Sequence, residues 1–246
     1  MPVVFAAWWL GPVGIWAMVL LIGWLATREL VAHAPVGQAQ TLRRVLLLSG
    51  VVLATLGALY PAAAVGLAAL SAVGLWLRHW HGRQSDDLLM GLFALQAAGL
   101  WCLTLLARWP STNVPAAGWF LYVCTVTALN DVGQFVSGKL WGTHILARRV
   151  SPNKTWQGAV GGLAVSMAVS VAVGRTLALA SVSELVGLGV VLCVSGVLGD
   201  LLFSAGKRAL RIKDYSSLIP GHGGILDRVD SLVLTAPALW AALHVL

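Results

Sequence analysis

Residues 185–206 read LVGLGVVLCVSGVLGDLLFSAG, with Asp200 the single charged side chain in the run. A stretch this long is apolar on every face. At about 1.5 Å rise per residue, a helix of it crosses a hydrocarbon core of about 30 Å. A strand of a membrane barrel would instead alternate apolar and polar side chains. Outward from this run the same pattern recurs, and it predicts helical spans at 3–26, 45–60, 62–77, 88–107, 116–135, 158–174, 185–206 and 229–246. Composition agrees. Of 246 residues, 59% are hydrophobic and 10% charged, with a mean hydropathy of +0.85. A soluble domain carries roughly a quarter charged residues, so a soluble or disordered chain is excluded. The fold class expected is an all-α polytopic membrane protein of about eight transmembrane helices, with its polar loops on the cytoplasmic face.

Charge sets the orientation. Tyr60-Pro61 separates two short runs, read as a tight hairpin of spans rather than one kinked helix. With two spans there, segments 27–44, 78–87, 136–157 and 207–228 share one side, and they hold 14 of the 16 Lys and Arg residues. The opposite side keeps only Arg108 and Arg175. The positive-inside rule places the rich side in the cytoplasm and predicts an inner-membrane protein with its active site on that side. The first apolar stretch, Pro2 to Ala26, has no basic segment before it and is expected to stay as a membrane helix rather than be cleaved. Cys102, Cys124 and Cys193 are isolated in apolar runs and are read as small buried hydrophobes.

Span six carries Gly158, Gly162, Ser166, Ser170 and Gly174 at every fourth residue, a stripe that admits a close helix neighbour, expected within the same chain. Residues 1–129 form an N-terminal region of about four spans and the start of the fifth. Residues 130–246 contain the polar, glycine-punctuated segments where function is expected.

The C-terminal polar segment runs from Gly199 to Ser231. Asp200, Ser204, Lys207 and Arg208 fall at i, i+4, i+7 and i+8, one face of a helix continuing from span seven. An acid in an apolar run is expensive unless paired or liganded, which marks Asp200 as functional. Lys213-Asp214 follow, then Pro220-Gly221-His222-Gly223-Gly224, whose glycines permit positive φ and expose backbone N–H groups suited to phosphate oxygens. Asp227 and Asp230 share a helical face with Arg228 between them. Two carboxylates beside a glycine loop and several cations suit a divalent cation that holds phosphates, and Mg²⁺ prefers such oxygen ligands. Upstream, Asp131 ends span five and Ser151-Pro152 is read as the start of the next helix, which puts Lys154 in its first turn, where an anion is favoured.

Ser204, Lys207-Arg208, Lys213-Asp214 and the run from Pro220 to Asp230 closely resemble, in order and spacing, the signature of the phosphatidate cytidylyltransferase (CDP-diacylglycerol synthase) family. Asp131, Gly138-Lys139-Leu140-Trp141-Gly142 and Ser151 through Gly158 look like a second block of that family, so the resemblance covers about residues 130–235. It implies CTP and phosphatidate, or another lipid phosphate, as substrates, CDP-diacylglycerol and pyrophosphate as products, and Mg²⁺ as cofactor, with room for a second cation such as K⁺. It implies cations between Asp200 and Asp227, with Ser204 and Lys207 nearby, and a homodimer. The chain departs from the family at Phe203, where Glu is usual, and at Gln134-Phe135, where Ala-Tyr is frequent.

From these readings, Asp200, Ser204, Lys207 and Asp227 are the expected catalytic residues, and Asp200, Asp227 and Asp230 the expected metal ligands. Lys154, Arg208, Lys213, Arg228 and the 221–224 loop (Gly221, His222, Gly223, Gly224) would bind phosphates. Asp131 and Asp214 complete the expected substrate site. Because a phosphate monoester is already ionised, His222 is expected to donate a hydrogen bond rather than act as base. No phosphate-binding G-x-x-x-x-G-K run ending in Ser or Thr occurs, and with the cations against the membrane no nucleic-acid partner is expected. A transporter would place its ionisable groups near the midplane, commonly in repeated halves; here they crowd one face.

Overall fold

The computed structural model describes residues 2–33, 85–109, 117–218 and 223–246. The predicted spans 45–60 and 62–77 lie outside the described residues, as do Gly221 and His222. The described chain is mainly helical: α1 (Pro2–Trp9), α2 (Gly11–Val31), α3 (Ser85–Ala107), α4 (Gly118–Trp141), α5 (Trp156–Thr176), α6 (Val182–Ala209) and α7 (Leu226–Ala242). Two short strands, β1 (Ile145–Ala147) and β2 (Ser151–Thr155), lie between α4 and α5.

Four helical stretches among the described residues are long and apolar enough to cross a membrane: Val13–Val31, Leu88–Ala107, Trp156–Thr176 and Val182–Ala209. Three of these are strongly apolar yet little buried by protein: only 28% of the Trp156–Thr176 window and 39% of the Val13–Val31 and Val182–Ala209 windows is covered. Val160, Val190, Val191, Val194 and Leu198 point outward. In water such a surface would be an aggregation liability, whereas lipid solvates it.

Three expectations need correction. The predicted span 3–26 is two helices, because Gly11 adopts φ +69° and Pro12 follows it at the start of α2. Proline there lacks an N–H and cannot continue a preceding helix. The chain is also not purely α. Ser151–Thr155 is not the first turn of a helix but a strand, antiparallel to β1, with Ile145 opposite Thr155 and Ala147 opposite Ser151. Helix α5 therefore starts five residues later than Ser151, at Trp156, where the Thr155 hydroxyl accepts a hydrogen bond from Gly158 N–H. Finally, α4 runs on to Trp141 rather than ending at 135, carrying Lys139 in its last turn, where a cation complements the helix dipole.

The small-residue stripe of α5 packs inside the chain. Gly158, Gly162, Ser166, Ser170 and Gly174 are all buried. A Cβ at Gly158 would come within 2.8 Å of the Gln134 carbonyl on α4. On the other side, Ser166 donates to the Gly189 carbonyl of α6 at 2.8 Å. Ser170 donates to the Leu185 carbonyl and meets the Tyr122 hydroxyl of α4. Hydroxyls and glycines thus knit α4, α5 and α6 in a setting where apolar contact alone gives little preference for helix over lipid.

Two apolar clusters flank this seam. One gathers Ile15, Phe120, Tyr122, Leu188 and Leu239, and the other Leu30, Leu89, Leu92, Phe203, Tyr215 and Leu226. The second forms the floor beneath the polar residues.

Candidate active site

Helix α6 brings the first carboxylate into place. A Cβ at Gly199 would lie 2.6 Å from the Asp230 carbonyl, so this glycine lets α7 close against α6 just before Asp200. Asp200 keeps 26% of its side chain exposed. Its Oδ1 accepts a hydrogen bond from the Ser204 hydroxyl at 3.1 Å, as the i, i+4 spacing predicts. Its Oδ2 pairs with Lys154 Nζ at 2.5 Å. Lys154 arrives from strand β2 and also donates to Gln134 Oε1 on α4 at 3.4 Å. The strand, rather than a helix N-terminus, aims this cation at α6.

Asp131, Gln134, Lys154, Asp200 and Arg228 line one cavity of about 450 Å³, together with Ser151 and Asn153 of the hairpin. Asp131 Oδ1 accepts from the Ser231 hydroxyl at 3.3 Å, which ties α4 to α7. Asp230 is buried behind this wall, and its Oδ1 accepts the Ser231 N–H at 2.8 Å. Carboxylates and cations thus alternate around a polar opening.

A second hub centres on Asp227, in the first turn of α7 and only 5% exposed in its side chain. Lys207 Nζ donates to Oδ1 at 2.7 Å, while Oδ2 accepts Tyr215 N–H at 3.0 Å and Gly224 N–H at 2.9 Å. Both oxygens are engaged, so in this geometry Asp227 anchors Lys207 and gathers the loop. The Gly224 N–H, expected to face phosphate, is taken by Asp227. Gly223 has φ +78°, and a Cβ there would lie 2.9 Å from Asp227 Oδ2; glycine is needed on both counts. Lys207 also sits 5.7 Å from the centre of the Tyr215 ring. Burial pushes the Tyr215 phenol pKa well up, with the Asp227 and Asp230 charges adding to it. That hydroxyl donates to the Phe203 carbonyl at 3.0 Å. Phe203 is fully buried in the apolar floor.

The expected residues therefore divide. Asp131, Lys154, Asp200 with Ser204, and Arg228 meet at the cavity, while Lys207, Asp227 and Gly224 form the neighbouring hub. Arg208 turns away, its Nε donating to the Val150 carbonyl at 3.2 Å and so fastening the β-hairpin to α6. Lys213 and Asp214 are exposed on the loop after α6. Glu29, His33, Tyr215 and Ser231 were not anticipated. Glu29 had a signal, being an acid near the end of the first apolar run. For Tyr215 and Ser231 no spacing rule exists.

The donor set suits a hard cation. Asp131 and Asp200 present carboxylate oxygens to the same cavity. Among the described residues no three His, Cys, Asp or Glu side chains converge as a ready-made cage. Mg²⁺ is held by one or two carboxylates completed by substrate phosphates and water, rather than by an all-protein shell. The site fits that pattern.

The chain is 38% identical over 178 residues to the phosphatidate cytidylyltransferase of Pseudomonas aeruginosa, covering 70% of this chain and 62% of that protein. It is 40% identical over 122 residues to the phosphatidate cytidylyltransferase of Staphylococcus aureus, covering 49% and 47%. A third relative is the uncharacterized protein YnbB of Escherichia coli, 37% identical over 132 residues, covering 53% and 44%. The chain spans about half the length of the curated relatives it matches. A profile of the cytidylyltransferase family matches residues 1–246, its whole length. The chain belongs to the cytidylyltransferase family.

Proposed function

We propose that this chain is a membrane nucleotidyltransferase that condenses CTP with phosphatidate, giving CDP-diacylglycerol and pyrophosphate for phospholipid synthesis. The observation that carries this reading is the cavity in which Lys154, Arg228, Asp131 and Asp200 converge. It offers cations for phosphates and carboxylates for a cation, beside helices suited to lipid.

In the reaction a phosphatidate oxygen attacks the α-phosphorus of CTP. A new P–O bond forms as the bond to the bridging oxygen of the β-phosphate breaks, and pyrophosphate leaves with that electron pair. Both reactants are anions, so the site must offset their repulsion and align them for attack. Lys154 and Arg228 face the cavity and bind phosphate oxygens. Lys207, held by Asp227, lies in the adjoining hub to meet the leaving pyrophosphate. Ser204 fixes the rotamer of Asp200 through its hydrogen bond. The attacking phosphate is ionised at neutral pH, so the residues need hold no proton for it.

Asp131 and Asp200 would hold Mg²⁺, with Asp230 behind them; Asp200 would do so by releasing Lys154, as Asp227 could join only by releasing Lys207. When bound, the ion would supply positive charge that offsets the repulsion of the two anions. A second cation such as K⁺ belongs to the same proposal. So do the eight-span topology, the cytoplasmic placement of the cavity and a homodimer. Charge supports the first two, through the 14 Lys and Arg residues grouped on one side.

The test is pyrophosphate release by the purified chain in lipid or detergent, with CTP, Mg²⁺ and each of several lipid phosphates in turn. Release that requires both CTP and phosphatidate is expected. Release with a different lipid phosphate alone would redirect the substrate, and none with any lipid would remove the reading.

A further inference from the structure

Helix α2 carries an acid that the reaction does not use. Glu29 is buried, 6% exposed, near the end of a helix whose window from Val13 to Val31 is apolar enough to span a membrane. A carboxylate in that position is costly unless strongly hydrogen-bonded. Its Oε1 accepts the Ser216 hydroxyl at 2.7 Å and the Ile225 N–H at 2.9 Å, and its Oε2 accepts the Leu226 N–H at 2.9 Å. Ile225 and Leu226 begin α7, where backbone N–H groups have no partner within the helix and the dipole favours negative charge. Residue 225 offers no side-chain cap of its own. Glu29 supplies that cap from a helix almost two hundred residues away in sequence.

In the turn just after α2, His33 Nε2 donates to the Tyr215 carbonyl at 2.7 Å. Tyr215 N–H in turn donates to Asp227. Glu29 and His33 therefore hold both partners of the Lys207 hub: the Tyr215–Ser216 stretch on one side and the first turn of α7 on the other. Gly224 confirms how closely the clamp fits. A Cβ there would lie 2.5 Å from Glu29 Oε2 and 2.8 Å from its Cδ.

We infer that Glu29 is a positioning residue, which by capping α7 and fixing Ser216 sets Asp227 and, through it, the Lys207 ammonium. The role in turnover rests on the cytidylyltransferase reading; the clamp itself does not. Glu29 is not among the residues that line the cavity.

The experiment compares wild type with Glu29→Gln, Glu29→Ala and Gly224→Ala, by amide hydrogen exchange at residues 224–227 and by CTP–phosphatidate kinetics normalised to folded protein. Glutamine keeps one acceptor oxygen but sets a donor against a backbone N–H. Loss of a charge-assisted bond of this kind predicts exchange at Leu226 faster by about tenfold to a hundredfold in Glu29→Gln. A fall in kcat of similar size is expected, with a smaller change in KM for CTP, and Gly224→Ala should do the same by displacing the carboxylate. Alanine should be worse than glutamine; if it does not fold, the other two variants decide. A lowered melting temperature with wild-type kcat per folded enzyme would reduce Glu29 to a stability residue and overturn the proposal. Unchanged exchange at 224–227 would overturn the clamp itself. Should wild type turn over no CTP with any lipid, the cytidylyltransferase reading fails while the exchange data still decide the clamp.

Discussion

Replacing Asp227 by asparagine probes the hub with the least change in shape. Three donors converge on its two oxygens: Lys207 on one, and the Tyr215 and Gly224 N–H groups on the other. Asparagine has one acceptor oxygen and an NH₂ group that only donates. The amide is neutral, so an ammonium only 12% exposed loses its counter-charge whichever way the NH₂ faces. If it faces the backbone, two N–H groups lose their acceptor together. Removing one partner of a buried ion pair costs about 3–5 kcal/mol, and each unmet backbone donor about 1–3 kcal/mol. Either orientation therefore costs about 3 kcal/mol or more, and at about 1.4 kcal/mol per decade this corresponds to at least a hundredfold in rate if Lys207 acts on the leaving group. The assay is CTP–phosphatidate turnover by purified Asp227→Asn, with helical circular dichroism and a melting curve to confirm folding. A folded variant that turns over at the wild-type rate would refute the assignment of this hub to the reaction.

Two further outcomes follow from the same geometry. Lys154→Ala should raise KM for CTP by about tenfold to a hundredfold, since a charged phosphate contact is worth about 1.5–3 kcal/mol, and Lys154→Arg should recover part of it; steady-state kinetics read both. Gly199→Ala should destabilise the fold by about 1–3 kcal/mol, because its methyl meets the Asp230 carbonyl and forces α6 from α7, and a thermal melt in detergent would show it.

The sequence disclosed the parts of this molecule that depend on local spacing. The α5 stripe lies where a four-residue repeat puts it, against α4 and α6, and Ser204 bonds Asp200 one turn away. Lys207 and Arg208 share that helix face but part company, one to Asp227 and the other to the Val150 carbonyl, because long side chains follow partners that a helical wheel does not contain. The Gly11-Pro12 break was written in the sequence, yet the surrounding hydrophobicity outweighed it. The hairpin was harder to see. Ser151–Thr155 has neither alternation nor strong strand propensity, and it is held by pairing to β1 and by Arg208. Glu29 illustrates the limit, since its donors lie 187 to 197 residues further along the chain. An isolated acid announces that it needs a partner but does not name one.

Attack on the α-phosphorus of CTP by a lipid phosphate would carry that atom into the lipid, where it can be followed. CTP radiolabelled at the α-phosphate, and separately at the γ-phosphate, would be incubated with the purified chain, Mg²⁺ and phosphatidate, and the lipid and aqueous phases counted. The α-label should enter the lipid phase while the γ-label stays in water as pyrophosphate. A γ-label recovered in lipid, or no α-label there, would rule out this reaction.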